Sequence, residues 1–543
     1  MGGAPFVGRA RELALADRHL ADIGPVLLVV AGEPGIGKSR LLGEAAVRAA
    51  ARGWRVLEGG CQRPGGQEPY APIVGALKRH LAGRPADAAR KDLDGCRWLV
   101  RMLPELTGTV EEGAATWMLA ADQERRLMFD AVIRFLGNVA GPSGTMVILD
   151  DLQWAGRDAV DLLAAVIRSA ATPIRVIAAY RDTEVAPNDP LAAILADLAI
   201  AGLVTHRTLA PLTTEESADL LDALLDRSAA ETYAQGHAVL QRAGGVPFFL
   251  ISCAQWLQAE ILEDSRATIP WDVTHSVRQR IAALPDAVQA LLGTAAVMGR
   301  DVRPQVLAAV TGESDDAIST ALEAAERARL LIDLGHTYQF AHDVIREVAE
   351  GDVGSARRLL LHRRIAAAIE HFHGNALPDQ YETLAYHYLH GEAWEPALAY
   401  LAQSGDKARA AHAMEQALHF YAQALAVCET LGAAGFATAV TIAEKRGNVC
   451  FDSGDFPGAA IDFARMRVDA HVLGDRHQEA MAQAYRGMAL LYAHEFEDAE
   501  EVLRAALALS GTEFPDARLL AGTQLASLLS LINRHDEFAI LLA

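Results

Sequence analysis

At 543 residues the chain is too long for a single hydrophobic core, and typical domain sizes divide it into roughly three to four units. Its hydrophobic share of 51% is that of a folded chain, while a formal charge of -21 argues against a surface built to neutralise nucleic-acid phosphates. Five scattered cysteines, Cys61, Cys96, Cys253, Cys428 and Cys450, show no CxxC and no metal-ligand His spacing, which predicts a reduced, cytoplasmic setting without a zinc site. The start Met-Gly-Gly-Ala-Pro has no basic-then-apolar leader, and no apolar run reaches about 18 residues, so neither export nor membrane insertion is expected.

In chain order, the first elements alternate short β-rich runs with longer helical patterns, the signature of a parallel α/β sheet. Strands are predicted at Val26–Ala31, Arg55–Glu58, Thr145–Asp150, Ile174–Tyr180 and Val204–Leu209, each nearly continuous in apolar residues as expected when helices cover both faces. From Thr214 to Leu284 the pattern is helical, with breaks at Gly244-Gly245-Val246-Pro247 and Ile269-Pro270-Trp271. Three helical stretches follow, then short strands at Leu330–Leu334 and Tyr338–Phe340 around Gly335-His336, which reads as a winged helix.

Beyond Ser355 the chain is helical and Ala-rich. Gly447 and Gly487 stand 40 residues apart, and Gly454-Asp455-Phe456 with Ala459 recurs as His494-Glu495-Phe496 with Ala499. Gly391-Glu392-Ala393-Trp394 with Ala397 has the same character, although 63 residues separate Gly391 from Gly454 and leave the register open. This pattern resembles tetratricopeptide repeats, with an ordinary helical bundle as the alternative. The apolar helix ending at Phe538–Ala543 carries no polar cap, so a continuation of the repeats is expected. The predicted architecture is thus a P-loop α/β domain (1–210), a helical lid (211–275), a winged helix (276–355) and an all-α repeat superhelix (356–543).

The strongest chemical signal is Gly32-Glu33-Pro34-Gly35-Ile36-Gly37-Lys38-Ser39, between the strand Val26–Ala31 and a helix predicted over Arg40–Ala51. Gly35 and Gly37 permit the backbone angles that turn amide hydrogens towards a phosphate, and the helix N-terminus adds its positive end. Lys38 is expected to reach the β- and γ-phosphates, Ser39 to hold Mg²⁺, and Arg40 to lie beside the bound nucleotide. Such a metal needs a carboxylate, and Met146-Val147-Ile148-Leu149-Asp150-Asp151 supplies two at a strand end. Asp150 is read as the metal ligand and Asp151 as the group that orients or deprotonates the attacking water. Arg181 closes the strand Ile174–Tyr180 where ligands of open α/β sheets bind, and it either senses the γ-phosphate or pairs at the surface with Asp182 or Glu184.

Phe6-Val7-Gly8-Arg9 with Arg11-Glu12, the glycine loop, Leu149-Asp150-Asp151-Leu152-Gln153-Trp154 and Ala179-Tyr180-Arg181 together resemble the STAND class of signalling ATPases. Within that class the likeness is to MalT-like and large LuxR-type bacterial regulators and to the ATPase-repeat modules of some nucleotide cyclases. The resemblance implies that Phe6, Val7, Gly8 and Arg9 line the adenine and ribose side. It also implies that Gly245-Val246-Pro247 closes over the base, and that His342 of Phe340-Ala341-His342-Asp343 touches the β-phosphate of ADP. Val246 stands where relatives often carry Asn, so a local difference around Pro247 is expected.

Other candidates are weaker. His371 and His373 fall on different faces of a helix, which favours a solvated helix end over a metal pair. Arg357-Arg358 with His362-Arg363-Arg364 reads as a helix face meeting acidic neighbours rather than DNA.

These readings predict an ATP/ADP-dependent switch with slow Mg²⁺-dependent hydrolysis, opening or self-association when ATP is bound, and an inducer of unknown chemistry on the repeats. Its output is expected in a transcription regulator whose DNA-binding part lies outside these residues; the alternatives are a cyclase-linked ATPase module, a defence sensor recognising a foreign protein, or a housekeeping ATPase.

Overall fold

The computed structural model describes residues 6–61, 68–107, 120–169, 173–225, 240, 243–254 and 273–542. The chain divides into two compact units, the described parts of Met1–Trp117 with Arg126–Asn375, and of Met118–Arg125 with Ala376–Ala543. The break expected at Ile269-Pro270-Trp271, and much of the helical segment expected over 211–275, lie outside the described residues.

The first unit is built on five parallel strands, β1 (Leu27–Ala31), β2 (Trp54–Gly60), β3 (Gly144–Asp150), β4 (Ile174–Tyr180) and β5 (Val204–Thr208), in the order β2-β3-β4-β1-β5. All five residues of β1 are buried, as its uninterrupted run Leu-Leu-Val-Val-Ala requires of a strand sandwiched between helices. Helices α1 (Ala10–Leu20) and α2 (Lys38–Ala51) cover one face, packing Ala16, Leu20, Leu41 and Ala45 against Leu28, Val30, Ile148 and Ile177. Each of the buried Leu, Val and Ile side chains contributes about 1.5–3 kcal/mol relative to exposure.

The element bounds differ from expectation in ways that matter near the site. Helix α2 starts at Lys38 rather than Arg40, so Lys38 and Ser39 occupy its first turn. Strand β2 extends from Trp54 to Gly60, because pairing with β3 continues to Gly60↔Asp150. Only a residue without Cβ fits at Gly59, where an added Cβ would lie 1.8 Å from the Pro72 carbonyl oxygen. Strand β5 stops at Thr208, although Leu209 N still donates to Ala31 O at 2.9 Å.

The same unit contains helices Val273–Ala282, Asp286–Met298, Pro304–Thr311, Asp315–Arg327 and Asp343–Gly351 around a small antiparallel sheet. That sheet joins β6 (Asp301–Val302), β7 (Leu331–Asp333) and β8 (Tyr338–Phe340) in the order β6-β8-β7. The hairpin turns at Gly335, whose φ of 94° is left-handed, and Asp333 Oδ1 accepts from Gly335 N at 2.6 Å. Strand β6 was not anticipated, since two residues carry no periodicity. Helix Ser355–His373 packs against Asp286–Met298 and Pro304–Thr311, so it belongs with this first unit and not, as expected, with the repeats.

The second unit is all helical, from Tyr381–His390 to His535–Leu542, with consecutive helices packed in pairs, and it resembles tetratricopeptide repeats. The structure supplies the register that Gly391 obscured. Gly405, Gly447 and Gly487 each face the side chain 16 positions on, Tyr421, Phe463 and Leu503, and an added Cβ would approach those side chains to 2.4, 2.6 and 2.5 Å. Between them fall a left-handed turn residue, His412, Gly454 or His494, and a fully buried alanine, Ala417, Ala459 or Ala499. The first of the three repeats was missed because its left-handed turn residue, His412, φ 54°, is followed by Ala413-Met414 and lacks the acid-Phe pair that follows Gly454 and His494.

Candidate functional site

The carboxyl ends of β1, β3 and β4 deliver the glycine loop, Asp150-Asp151 and Arg181 to one edge of the sheet, the side where open α/β sheets bind ligands. Beside it lies a cavity of ≈ 330 Å³, within the size range of small-molecule sites. Its walls include Phe6, Val7, Arg9, Pro34, Gly35, Ile36, Gly37, Lys38, Ser39, Arg40, Asp151, Arg181, Pro247 and His342. The other residues singled out in the sequence, Gly8, Gly32, Glu33 and Asp150, are not part of its lining but stand within two positions of lining residues in the chain.

The loop curls because Gly32, Gly35 and Gly37 take φ values of 151°, 79° and 103°. Lys38 is buried, with Nζ donating to Gly32 O at 2.7 Å and Glu33 O at 2.9 Å, so the ammonium sits in the concavity of its own loop. Burial and the nearby Arg181 cation lower its pKa, while Asp150, Asp151 and Asp182 raise it. Ser39 and Arg40 are exposed on the first turn of α2, and the Arg40 guanidinium lies 6.0 Å from the Phe6 ring centroid.

Arg9 is more deeply engaged than a residue lining the base side. It is 8% exposed, its Nη1 donates to Ala210 O at 2.6 Å and its Nη2 to Ile36 O at 3.0 Å, so it braces the loop from behind. Glu216 holds this segment: its carboxylate accepts from Arg9 N at 3.2 Å and from Thr213 N at 2.9 Å, completing a capping box for helix Thr214–Leu224. A Cβ on Gly8, φ 70°, would lie 2.6 Å from Glu216 Oε1. Glu216 was not anticipated, though Thr213-Thr214-Glu215-Glu216 carries the spacing that marks such a cap.

Asp150 Oδ1 accepts from Asp151 N at 2.9 Å, and Asp151 takes a left-handed φ of 56°. Asp151 is buried and its pKa is raised to about 6 by burial and by the neighbouring Asp150 charge. Gln153 Nε2 donates to Asp151 Oδ1 at 3.0 Å, and Gln153 Oε1 accepts from Arg181 N at 3.1 Å, tying the ends of β3 and β4 together.

Arg181 is 5% exposed, and its guanidinium binds Glu184 at 2.8 Å and Asp343 at 2.7 Å while lying 4.8 Å from the Trp154 ring centroid. The surface pairing considered from sequence is therefore half right: Glu184 is a partner, but the group is buried and reaches a helix 162 positions away.

His342 caps helix Asp343–Gly351, its Nδ1 accepting from Val344 N at 3.2 Å. The ring proton therefore sits on Nε2. Burial pushes its pKa down to about 4, aided by Arg181, Lys38 and Arg300 against the opposing Asp343, so the ring is a neutral donor at pH 7. The ring stacks on Phe248 with centroids 4.2 Å apart, and Phe248 N donates to Gly35 O at 3.2 Å. Phe248 thus links the loop to His342, and a Cβ on Gly35 would come within 2.9 Å of Phe248 Cβ. Pro247 lies beside Gly37, held by the preceding Gly245, φ 75°, whose carbonyl accepts from Leu212 N at 2.8 Å. Phe248, Leu212, Leu220, Ile251 and Arg300 also line the cavity, and none was singled out from sequence because their roles depend on distant partners.

Residues 5–178 match the AAA ATPase domain family. The match implies nucleotide binding and stops within β4, ahead of Arg181, Phe248 and His342. An uncharacterised protein of Rhizobium meliloti is 26% identical over 472 residues, covering 81% of this chain and 44% of that protein, so the chain spans under half the length of this curated relative. Among solved structures, a signal transduction ATPase with numerous domains and a tetratricopeptide repeat sensor, from Pyrococcus horikoshii, is 14% identical with a TM-score of 0.40, covering 99% of this chain and 82% of its own. A Walker-type ATPase of Pyrococcus abyssi is also 14% identical, with a TM-score of 0.32 and coverage of 63% and 96%. Among the described residues no helix is long and apolar enough to cross a membrane.

Proposed function

We propose that the chain is an ATP/ADP-dependent signalling switch of the STAND type, in which nucleotide bridges the AAA ATPase domain and the hairpin module carrying His342. The observation that carries this reading is the shared wall of one cavity: Lys38 and Arg181 come from the sheet, and a neutral His342 comes from the other module. In this reading 1–210 is the nucleotide-binding domain, 211–275 a lid and 276–355 a winged helix. The repeats then receive an inducer.

Ser39 and Asp150 would hold Mg²⁺; a hydroxyl and a carboxylate are the hard oxygen donors that suit it, and neither side chain is committed to the core. When bound, the metal neutralises charge on the β- and γ-phosphates. Lys38 would leave its loop carbonyls for phosphate oxygens, and the positive φ of Gly35 and Gly37 would let their amides turn to the same group. Phe6, Val7 and Pro247 supply the apolar wall for the base. In hydrolysis, Asp151 accepts a proton from water as its oxygen bonds to the γ-phosphorus and the bond to the bridging oxygen breaks, releasing ADP and phosphate. ADP contacting both Lys38 and His342 favours the closed form by its differential contacts; exchange for ATP, aided by an inducer, favours opening or self-association.

The resemblance to MalT-like and LuxR-type regulators makes a transcriptional output, carried outside residues 1–543, the favoured one. The deciding experiment identifies the nucleotide retained by purified protein and measures its mass with ADP and with ATP. An ADP-loaded monomer that assembles with ATP is expected; a nucleotide-free protein indifferent to both sinks the reading.

A further inference from the structure

The hairpin module sends a second charged group into the cavity that the sequence did not reveal. Arg300 follows Gly299, which ends helix Asp286–Met298 with φ 129°. Its carbonyl accepts from Phe340 N at 3.3 Å, so the backbone of Arg300 is fixed to β8, two residues before His342. The side chain is 38% exposed and its Nη1 lies 3.6 Å from Asp151 Oδ2. Asp151 Oδ1 is meanwhile engaged by Gln153 at 3.0 Å and faces Arg181 Nε at 3.6 Å. Both oxygens of the acid that would take the water proton are therefore set against donors or cations.

The charges are exchanged between the two modules. The sheet gives a cation, Arg181, to Asp343 at 2.7 Å, and it offers an acid, Asp151, to Arg300. Arg181–Asp343 is a short hydrogen-bonded pair between a buried guanidinium and a partly buried carboxylate. Arg300–Asp151 is longer and partly solvated, a contact that yields readily when its backbone support moves. Any displacement of β8 and His342 carries Arg300 with it, because Phe340 and Arg300 share a backbone hydrogen bond.

We propose that Arg300 is a positioning residue for hydrolysis: from the hairpin module it occupies the Oδ2 side of Asp151 and keeps turnover slow until that module moves away. The inference rests on the reading of the site as an ATPase switch, and it adds a second coupling between module position and chemistry. His342 then reports which nucleotide is bound, while Arg300 sets whether bound ATP is cleaved. With Nη1 3.6 Å from Oδ2, the guanidinium takes up space that a water bound to that oxygen would need.

The test is steady-state ATP hydrolysis by the full chain, with ATP and ADP binding measured separately by calorimetry. Arg300→Ala should raise kcat about fivefold, the size of one partly exposed ion pair, with KM for ATP within about twofold. Arg300→Lys should retain most of the restraint, since a cation still faces Oδ2. On an Asp151→Asn background, Arg300→Ala should give no gain. An unchanged or lower kcat in Arg300→Ala, or a raised KM that marks Arg300 as a phosphate ligand, overturns the proposal while leaving the nucleotide site standing. Failure of the unaltered chain to bind either nucleotide overturns both.

Discussion

The nucleotide-site edge of the sheet and the helical repeats use glycine for opposite purposes. At the site, Gly32, Gly35 and Gly37 adopt left-handed backbone, and around them the buried charges Lys38, Asp151 and Arg181, with the partly buried Asp343, compensate one another. In the repeats, Gly405, Gly447 and Gly487 sit in ordinary helix and matter only because the next helix comes too close for a Cβ. The first kind of glycine shapes a surface for a ligand, and the second closes a gap between helices. Perturbing the first should change binding with little loss of fold; perturbing the second should do the reverse.

The largest effect is expected from Lys38→Ala, which removes the buried cation of the loop and should weaken ATP and ADP binding by about 100-fold or more, measured by calorimetry, while the melting temperature changes little. Retained tight binding would break the comparison at its first term. Gly447→Leu is the converse. It drives a side chain into Phe463 and should destabilise the repeats by about 1–3 kcal/mol in chemical denaturation, with nucleotide affinity unchanged. A drop in affinity of the same size would show that the two regions are not energetically separate.

His342→Ala should reduce ADP affinity about tenfold and shorten ADP retention, because a single neutral donor to phosphate is lost. An unaltered ADP off-rate rules out the phosphate contact. The same residue predicts a pH dependence. Its folded pKa of about 4 lies below the ordinary value of 6.5, so above pH 6.5 both folded and unfolded forms are neutral and stability is complete. As pH falls from 6.5 towards 4 the unfolded chain binds a proton that the folded ring refuses, and stability declines. Buried His19, also lowered to about 4, acts in the same direction. Asp151, raised to about 6, opposes them below pH 6, but two histidines outweigh one carboxyl, so melting temperatures should fall between pH 7.5 and 5, and His342→Asn should make the decline shallower. The smallest effect, about 1 kcal/mol, is expected for Glu216→Ala, which removes the capping-box carboxylate and the acceptor for Arg9 N; thermal melting reads it.

The sequence made much of this legible, and for a specific reason in each case. The parallel strands were readable because burial on both faces leaves a continuous apolar run, as in Leu27–Ala31 and Ile174–Tyr180. The loop was readable because phosphate cradling demands glycines at fixed local spacing, all within eight residues. The two clearer repeats were readable because Gly454 and His494 start similar turns, whereas His412 performs the same turn without a recognisable neighbour. Strand β6 and the boundary after His373 were not readable, since a two-residue strand and a helix's choice of packing partner leave no local pattern.

What the sequence by itself determined is the loop Gly32–Ser39, the acidic strand end Asp150-Asp151 and the alternation of strand and helix, all properties encoded by neighbours in the chain. What only the tertiary structure decided is which distant groups share the cavity. Arg181 meets Asp343 across 162 positions, Arg9 braces Ile36 and Ala210, Phe248 joins Gly35 to His342, and Arg300 faces Asp151. Apart from that of Arg9, whose partners lie in its own module, these pairings arise from the docking of one module on another. Periodicity and propensity report a residue's local environment, whereas the charge it will meet across a packed interface is fixed only when both surfaces are in place.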